Sequence, residues 1–203
     1  GKIFDPQLGT KDLKNNNVKF IGDPQKRIEE DYLRIIRFIR FSLEYESVIE
    51  KTTIEAIKVN LDGIKKISKE RILSELFKIL NTKNFIKINN NKQLRDIFLL
   101  IFPELKYLDR LNKLNTFTNQ LNFDKETLLS VLLMDKENNH EYFSHKYKIS
   151  NALKENFNLI SKNFLNLQKN KNFFVKDLKK NIYFFGKKHL KTLNVLYFSS
   201  IKK

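Results

Sequence analysis

Residues 23–41 read DPQKRIEEDYLRIIRFIRF, and four of the chain's seven arginines, Arg27, Arg34, Arg37 and Arg40, lie within them. Elsewhere positive charge is almost always lysine. Lysine, asparagine, isoleucine and phenylalanine are used heavily, with Asn runs at 15–17 and 89–91, the bias of AT-rich codons. Under that bias a surviving arginine marks a place where lysine will not serve. A guanidinium is a rigid planar fork that meets carboxylates, phosphates and base edges with two bonds at once; an ammonium is a point charge.

The segment opens as a helix, with Asp23 as N-cap and Pro24 at the first helical position. On one continuous helix, Arg27, Glu30, Asp31 and Arg34 fall at roughly 0°, 300°, 40° and 340° and share a face. Ile28, Tyr32, Ile35, Ile36 and Ile39 form the apolar face, and Arg37 and Arg40 follow at i+3 steps along one side. Two readings of the charged face are open. It can be an ion-paired surface, each pair worth a few tenths of a kcal/mol. It can also be a base-reading edge, with Asp31 accepting from the exocyclic amino group of cytosine or adenine and Arg34 donating to the neighbouring ring atom.

Upstream, residues 1–22 read as extended or looped. Ile3-Phe4 and Val18 to Ile21 are strand-like pieces divided by turn residues, too little for an independent sheet. Downstream, the apolar residues recur at helical spacing: Ile72, Leu73, Leu76, Ile79 and Leu80 after a Ser68 cap; Leu94, Ile97, Phe98 and Ile101 before Pro103; Leu128, Leu129, Leu132 and Leu133; Leu153, Phe157, Ile160 and Phe164. With 5 glycines and 3 prolines in 203 residues, residues 24–203 read as all-helical, with a softer boundary at 87–93.

Hydrophobic content of 41% and 31% charged residues describe a globular protein. The absence of cysteine excludes disulfides, thiolate zinc sites and a cysteine nucleophile. No apolar run reaches the roughly 18–20 residues of a membrane span, and no signal peptide precedes the first motif, so a cytoplasmic protein is expected. A start at Gly1 that runs straight into structured sequence suggests a piece of a longer protein. Net charge is +16; codon bias accounts for part of it, and a polyanionic partner, nucleic acid first, for the rest.

GDPQKRIEEDYLRIIRFIRF, residues 22–41, resembles the nucleotide-recognition segment of class II tRNA nucleotidyltransferases, the CCA-adding enzymes, and of the related bacterial poly(A) polymerases. The match runs through Gly22, Asp23, Pro24, Arg27, Ile28, Glu30, Asp31, Arg34, Arg37, Arg40 and Phe41. FDPQLGTKDL, residues 4–13, resembles the stretch that closes the family's head domain, and ISKERILSELFKIL, residues 67–80, resembles its neck helix. The resemblance implies that Asp31 and Arg34 pair with the Watson–Crick edge of CTP or ATP. It further implies that Arg37 and Arg40 line the nucleotide site, that Glu30 orients Arg34, and that Arg27 supports the cluster.

In that family the head transfers the nucleotide, using an Asp-x-Asp pair that holds two Mg2+ ions. No Asp-x-Asp occurs in these 203 residues. Glu29-x-Asp31 comes nearest, but on a helix its side chains diverge by about 200°. This chain is therefore expected to select a nucleotide without transferring it, with the metal held by a head domain it lacks. HEYFSH at 140–145 does not make a zinc site, since His140 and His145 would lie about 140° apart on a helix. His189 reads as an ordinary basic-face residue. For the aromatic and lysine mixture at 169–193, two readings stand: RNA contact with an exposed ring stacking on bases, or Phe173, Phe174, Tyr183 and Phe184 as core behind a solvated lysine face.

The expectation is an all-α chain of neck and body domains after a short remnant of an α/β head. Residues 1–22 would be the head remnant, 23–90 the nucleotide-recognition neck and 91–203 a tRNA-binding body. Function would be CMP and AMP addition to tRNA 3′ ends, with the same portion of a poly(A) polymerase or a stand-alone RNA-binding module as alternatives. Partners would be RNA, nucleoside triphosphates and the head, with no membrane.

Overall fold

The computed structural model describes residues 4–116, 122–170 and 172–201, and among these there is no β-strand. They form two compact units, residues 1–103 and 104–203. The division lies at Pro103, later than the expected 90/91. The Asn/Lys stretch at 87–93 does not separate two bodies: 3₁₀ helix Lys83–Asn90 runs to Asn91, whose side chain caps helix Lys92–Ile101, and the two elements pack together.

In the first unit, the segment expected to be extended or looped contains a short helix, α1 (Gly9–Lys14). The Asp5 carboxylate accepts from the N–H groups of Gly9 at 2.7 Å and Thr10 at 2.8 Å and so starts it. A six-residue helix with no buried residue shows no apolar period, which is why the sequence pattern missed it. Val18 to Phe20 run without regular structure, and Ile3 lies outside the described residues.

Asp23 caps α2 (Pro24–Glu30) by accepting from Gln25 N–H at 2.8 Å. The helix then stops. Asp31 is extended (φ −156°, ψ 103°), and α3 (Leu33–Glu44) begins after Tyr32. The expected continuous helix is thus two, and a wheel drawn through residue 31 does not hold. The break is stabilised locally, because the Asp31 side chain accepts from Leu33 N–H at 3.1 Å and so supplies the second helix with a cap. It also lets the Tyr32 ring lie on Gly63, where a Cβ would sit 2.1 Å from the ring carbons. Glycine is required there by close approach.

Helix α4 (Lys51–Asn60) packs on α2, and 3₁₀ turn Leu61–Lys66 follows it. Helix α5 (Lys69–Leu80) starts at the Ser68 cap and lays Ile72, Leu76, Ile79 and Leu80 against α3. Ile35, Ile36 and Ile39 of α3 are fully buried, each such side chain contributing about 1.5–3 kcal/mol. Helix α6 (Lys92–Ile101) closes the unit, with Phe98 meeting Phe85 and Phe102 at centroid distances of 5.5 and 5.0 Å.

The second unit is built around α8 (Lys125–Leu133), whose residues Leu128 to Leu133 are all buried. Helix α8 packs on α9 (Asn139–Tyr147) and α11 (Leu178–Ser200); α10 (Asn151–Lys169) packs on both of those, and α7 (Leu111–Asn115) on α11. Arg110, another of the surviving arginines, donates through Nη1 to the carbonyls of Val131 at 2.8 Å and Met134 at 2.9 Å, and lies over the Tyr107 ring at 3.9 Å. Two carbonyls and a ring face satisfied by one planar group are what lysine cannot reproduce. His189 is buried and bonded to Asn163 at 3.0 Å, so it is a core residue and not a basic-face one. His140 is buried while His145 is exposed.

Candidate functional site

Glu30 ends α2 and gathers two arginines. Arg27 Nη1 reaches both of its carboxylate oxygens at 3.0 Å, and Arg34 Nη1 reaches it at 2.5 Å. The hydrogen bond from Arg34, then that from Arg27, hold the Glu30 carboxyl below the usual carboxylate range. Arg34 also donates to the Arg27 carbonyl at 2.8 Å and thereby spans the helix break. Arg27 Nε ties back to the Ile21 carbonyl at 3.1 Å.

Asp31 turns the other way. Its two oxygens accept from Arg71 Nη2 on α5 at 3.3 and 3.2 Å, and Arg37 Nη1 stands 3.9 Å away. Arg37 and Arg40 both reach Glu75 of α5, at 3.4 and 3.2 Å through Nε, and Lys78 joins at 2.9 Å. The Glu75 side chain is only 3% exposed. Burial pushes its carboxyl up, but the Lys78 hydrogen bond and the charges of Lys78, Arg40 and Arg37 together outweigh it, and the net shift is downward. Arg40 lies over the Phe41 ring at 4.2 Å.

An open hollow of about 280 Å³ adjoins this cluster, lined by Arg27, Arg34 and Arg37, by Phe38 and Phe41, and by residues 18–21. Phe20 stacks on Phe38 at 5.2 Å and 14°. Three of the six expected site residues, Arg27, Arg34 and Arg37, therefore face one cavity, with Glu30 bonded behind them. Asp31 and Arg40 do not line it; they are engaged by Arg71 and Glu75. Those two residues of α5 were not singled out from the sequence. They lie 35–40 positions away, and only the packing of α3 on α5 brings them in. The signal was present all the same, because Arg71 is another arginine in a lysine-rich chain.

The carboxylates here do not fit a Mg2+ site. Glu30, Asp31 and Glu75 are each engaged by cations and point to different partners. No group of three or more His, Asp or Glu among the described residues could hold a metal ion.

Residues 48–108 match the family described as the probable RNA and SrmB-binding site of polymerase A. The CCA-adding enzyme of Lactobacillus helveticus (strain DPC 4571) is 32% identical over 176 residues, which cover 81% of this chain and 42% of that protein. The chain is similar to the CCA-adding enzyme and poly(A) polymerase family over most of its length. The human mitochondrial CCA tRNA nucleotidyltransferase 1 is 46% identical over 86 residues, 39% of this chain and 19% of that protein. Among solved structures, an apo CCA-adding enzyme has a TM-score of 0.68 at 20% identity, over 98% of this chain and 50% of its own. The Thermotoga maritima CCA-adding enzyme complexed with tRNA-CCA has a TM-score of 0.66 at 19% identity, over 97% of this chain and 50% of its own. These two likenesses are of fold. The chain spans about two fifths of the Lactobacillus relative and half of the solved structures. No helix of the described residues is long and apolar enough to cross a membrane.

Proposed function

We propose that this chain belongs to the CCA-adding enzyme and poly(A) polymerase family and is the nucleotide-selecting and tRNA-binding portion of a CCA-adding enzyme. The observation that carries the reading is the pair of junction residues. Asp31 occupies the break between α2 and α3, and Arg34 bridges that break while facing the hollow. A carboxylate offers about four lone-pair sites, so Asp31 can keep Arg71 on one edge and accept from an exocyclic amino group on another. Arg34 uses Nη1 on Glu30 and the Arg27 carbonyl and has further fork donors for a ring nitrogen or carbonyl. Cytosine and adenine carry an amino group at that edge; uracil and guanine carry a carbonyl oxygen there, which a carboxylate repels. Glu30 fixes the Arg34 fork, Arg37 adds charge at the hollow, and Arg40 with Glu75 braces α3 against α5.

In this reading the chain selects a nucleotide and does not transfer it. Phosphoryl transfer with two Mg2+ needs converging carboxylates, and here Glu30, Asp31 and Glu75 turn to different partners and do not converge. The metal would belong to a head domain. The match at residues 48–108 also favours a second reading, the same portion of a poly(A) polymerase, in which AMP alone would be added.

The test joins this chain to a nucleotidyltransferase head and measures incorporation of all four nucleotides. Asp31→Ala and Arg34→Ala are expected to abolish preference for CTP and ATP over UTP and GTP while tRNA affinity stays within about twofold, as loss of base-edge pairing requires. Wild-type selectivity in both variants would refute the assignment. Incorporation of ATP only by the unmodified protein would favour polyadenylation.

A further inference from the structure

The rings at the centre of the second unit are hidden: Phe143, Phe157 and Phe164 are no more than 2% exposed. Tyr183 and Phe184 are the opposite, at 85% and 64%. Both sit in the first half of α11, edge to face with each other at 5.4 Å. The helix is interrupted just after them at Gly186 (φ 78°, ψ 160°). A Cβ at Gly186 would meet nothing within 4 Å, so it is the backbone conformation that asks for glycine there and not crowding. Beyond the kink, His189, Leu190, Leu193 and Leu196 are buried. Before it, Asn181 is buried and donates to the Phe173 carbonyl at 2.9 Å, fastening the segment from behind. The two rings are thus held outward by a supported element.

The surroundings are strongly basic. Residues 172–191 contain six lysines and one acid, Asp177, which is bonded by Asn170. Lys179 and Lys180 are exposed and stand one helical turn before Tyr183, and Lys187 is exposed just past the kink. A second copy of a chain with net charge +16 would bring like charge onto this face. Lys188 is taken by Glu126 of α8 at 2.8 Å, but flat apolar rings beside the exposed Lys179, Lys180 and Lys187 match a ligand that joins flat apolar faces to a regular row of negative charges. Unpaired bases on a phosphate backbone do so.

We infer that the first half of α11 is a base-stacking surface for RNA, on which Tyr183 and Phe184 stack one or two unpaired bases while Lys179, Lys180 and Lys187 contact the adjoining phosphates. The inference rests on the RNA-binding reading proposed above and adds the surface and the mode of contact. Of the two readings left open by the sequence, the core one does not hold for Tyr183 and Phe184, because the kink leaves them outside the packed second half of the helix, while Phe173 is buried.

The test is anisotropy titration of a labelled tRNA transcript with the 203-residue chain at several KCl concentrations. Tyr183→Ala/Phe184→Ala is expected to weaken binding about ten- to a hundredfold with the salt slope unchanged, the size of one to two lost base stacks. Tyr183→Phe, which keeps the ring, should bind like the wild type. Lys179→Ala/Lys180→Ala should lower the salt slope by about two. A tRNA substituted with 5-iodouridine should crosslink to the peptide holding Tyr183, a readout independent of the variants' folding. Wild-type affinity in the double-ring variant, with no crosslink, would overturn the inference and leave RNA binding intact. Absence of binding by the unmodified chain would overturn both. A concentration-dependent dimer dissolved by the double-ring variant would instead assign the surface to a second copy.

Discussion

Replacing Glu75 by glutamine keeps the volume of the side chain and removes its charge. That carboxylate is 3% exposed and holds Arg40, Arg37 and Lys78 at 3.2, 3.4 and 2.9 Å. Breaking a buried ion pair from one side costs about 3–5 kcal/mol because the other charge is stranded. Here Arg40 is 19% exposed, while Arg37 and Lys78 are 43% and 52% exposed and can turn to water. The stranded charge is therefore mainly that of Arg40, whose remaining partner, Glu44, stands 4.0 Å away. A loss of about 2 kcal/mol follows, or roughly 10 °C in Tm for a unit of this size. Because the folded-state carboxyl is held below its ordinary value, the unfolded chain binds the proton more readily. The stabilisation is then complete above the unfolded pKa, near 4.5, and is lost as pH falls through the folded value. Thermal melts followed by circular dichroism should show the Glu75→Gln deficit at full size at pH 7 and shrinking below about pH 4. Equal melting temperatures at pH 7, or a deficit of constant size down to acid pH, would refute the role given to this carboxylate.

Gly63→Ala should lower stability by about 1–3 kcal/mol, as overpacking does, because its Cβ meets the Tyr32 ring at 2.1 Å. Adding Tyr32→Ala to it should recover part of that loss in chemical denaturation. Arg71→Ala should cost less than about 1 kcal/mol, since its side chain is 52% exposed, yet lower nucleotide selectivity in a head-containing protein; Arg71→Lys should restore little, lacking the fork. His189 has its pKa lowered by burial, so protonation favours the unfolded chain. Stability of the second unit should fall as pH drops below about 6.5, and His189→Gln should flatten that slope in acid titrations.

The helices with a sustained apolar period were legible from residue types alone, because burial on one face imposes the 3.6-residue repeat that α5, α6 and α10 carry. The caps Asp23 and Ser68 were equally legible, as each satisfies an N–H a few residues away. The arginine excess was legible for a different reason: in a lysine-rich chain it marks planar, two-bond contacts before any partner is known. The partners were not legible. Asp31 reads as a helical residue until Tyr32 finds Gly63, and its carboxylate then belongs to Arg71, 40 positions away. Arg40 reads as a ligand-facing residue until Glu75 claims it. Tyr183 and Phe184 read equally as core or as exposed stacking rings, and the kink at Gly186 decides for exposure. Local hydrogen bonds and face periodicity are written into neighbouring residues, so sequence determines them. Which charge meets which, and which ring meets water, depends on how distant helices dock, and only the tertiary structure decides it.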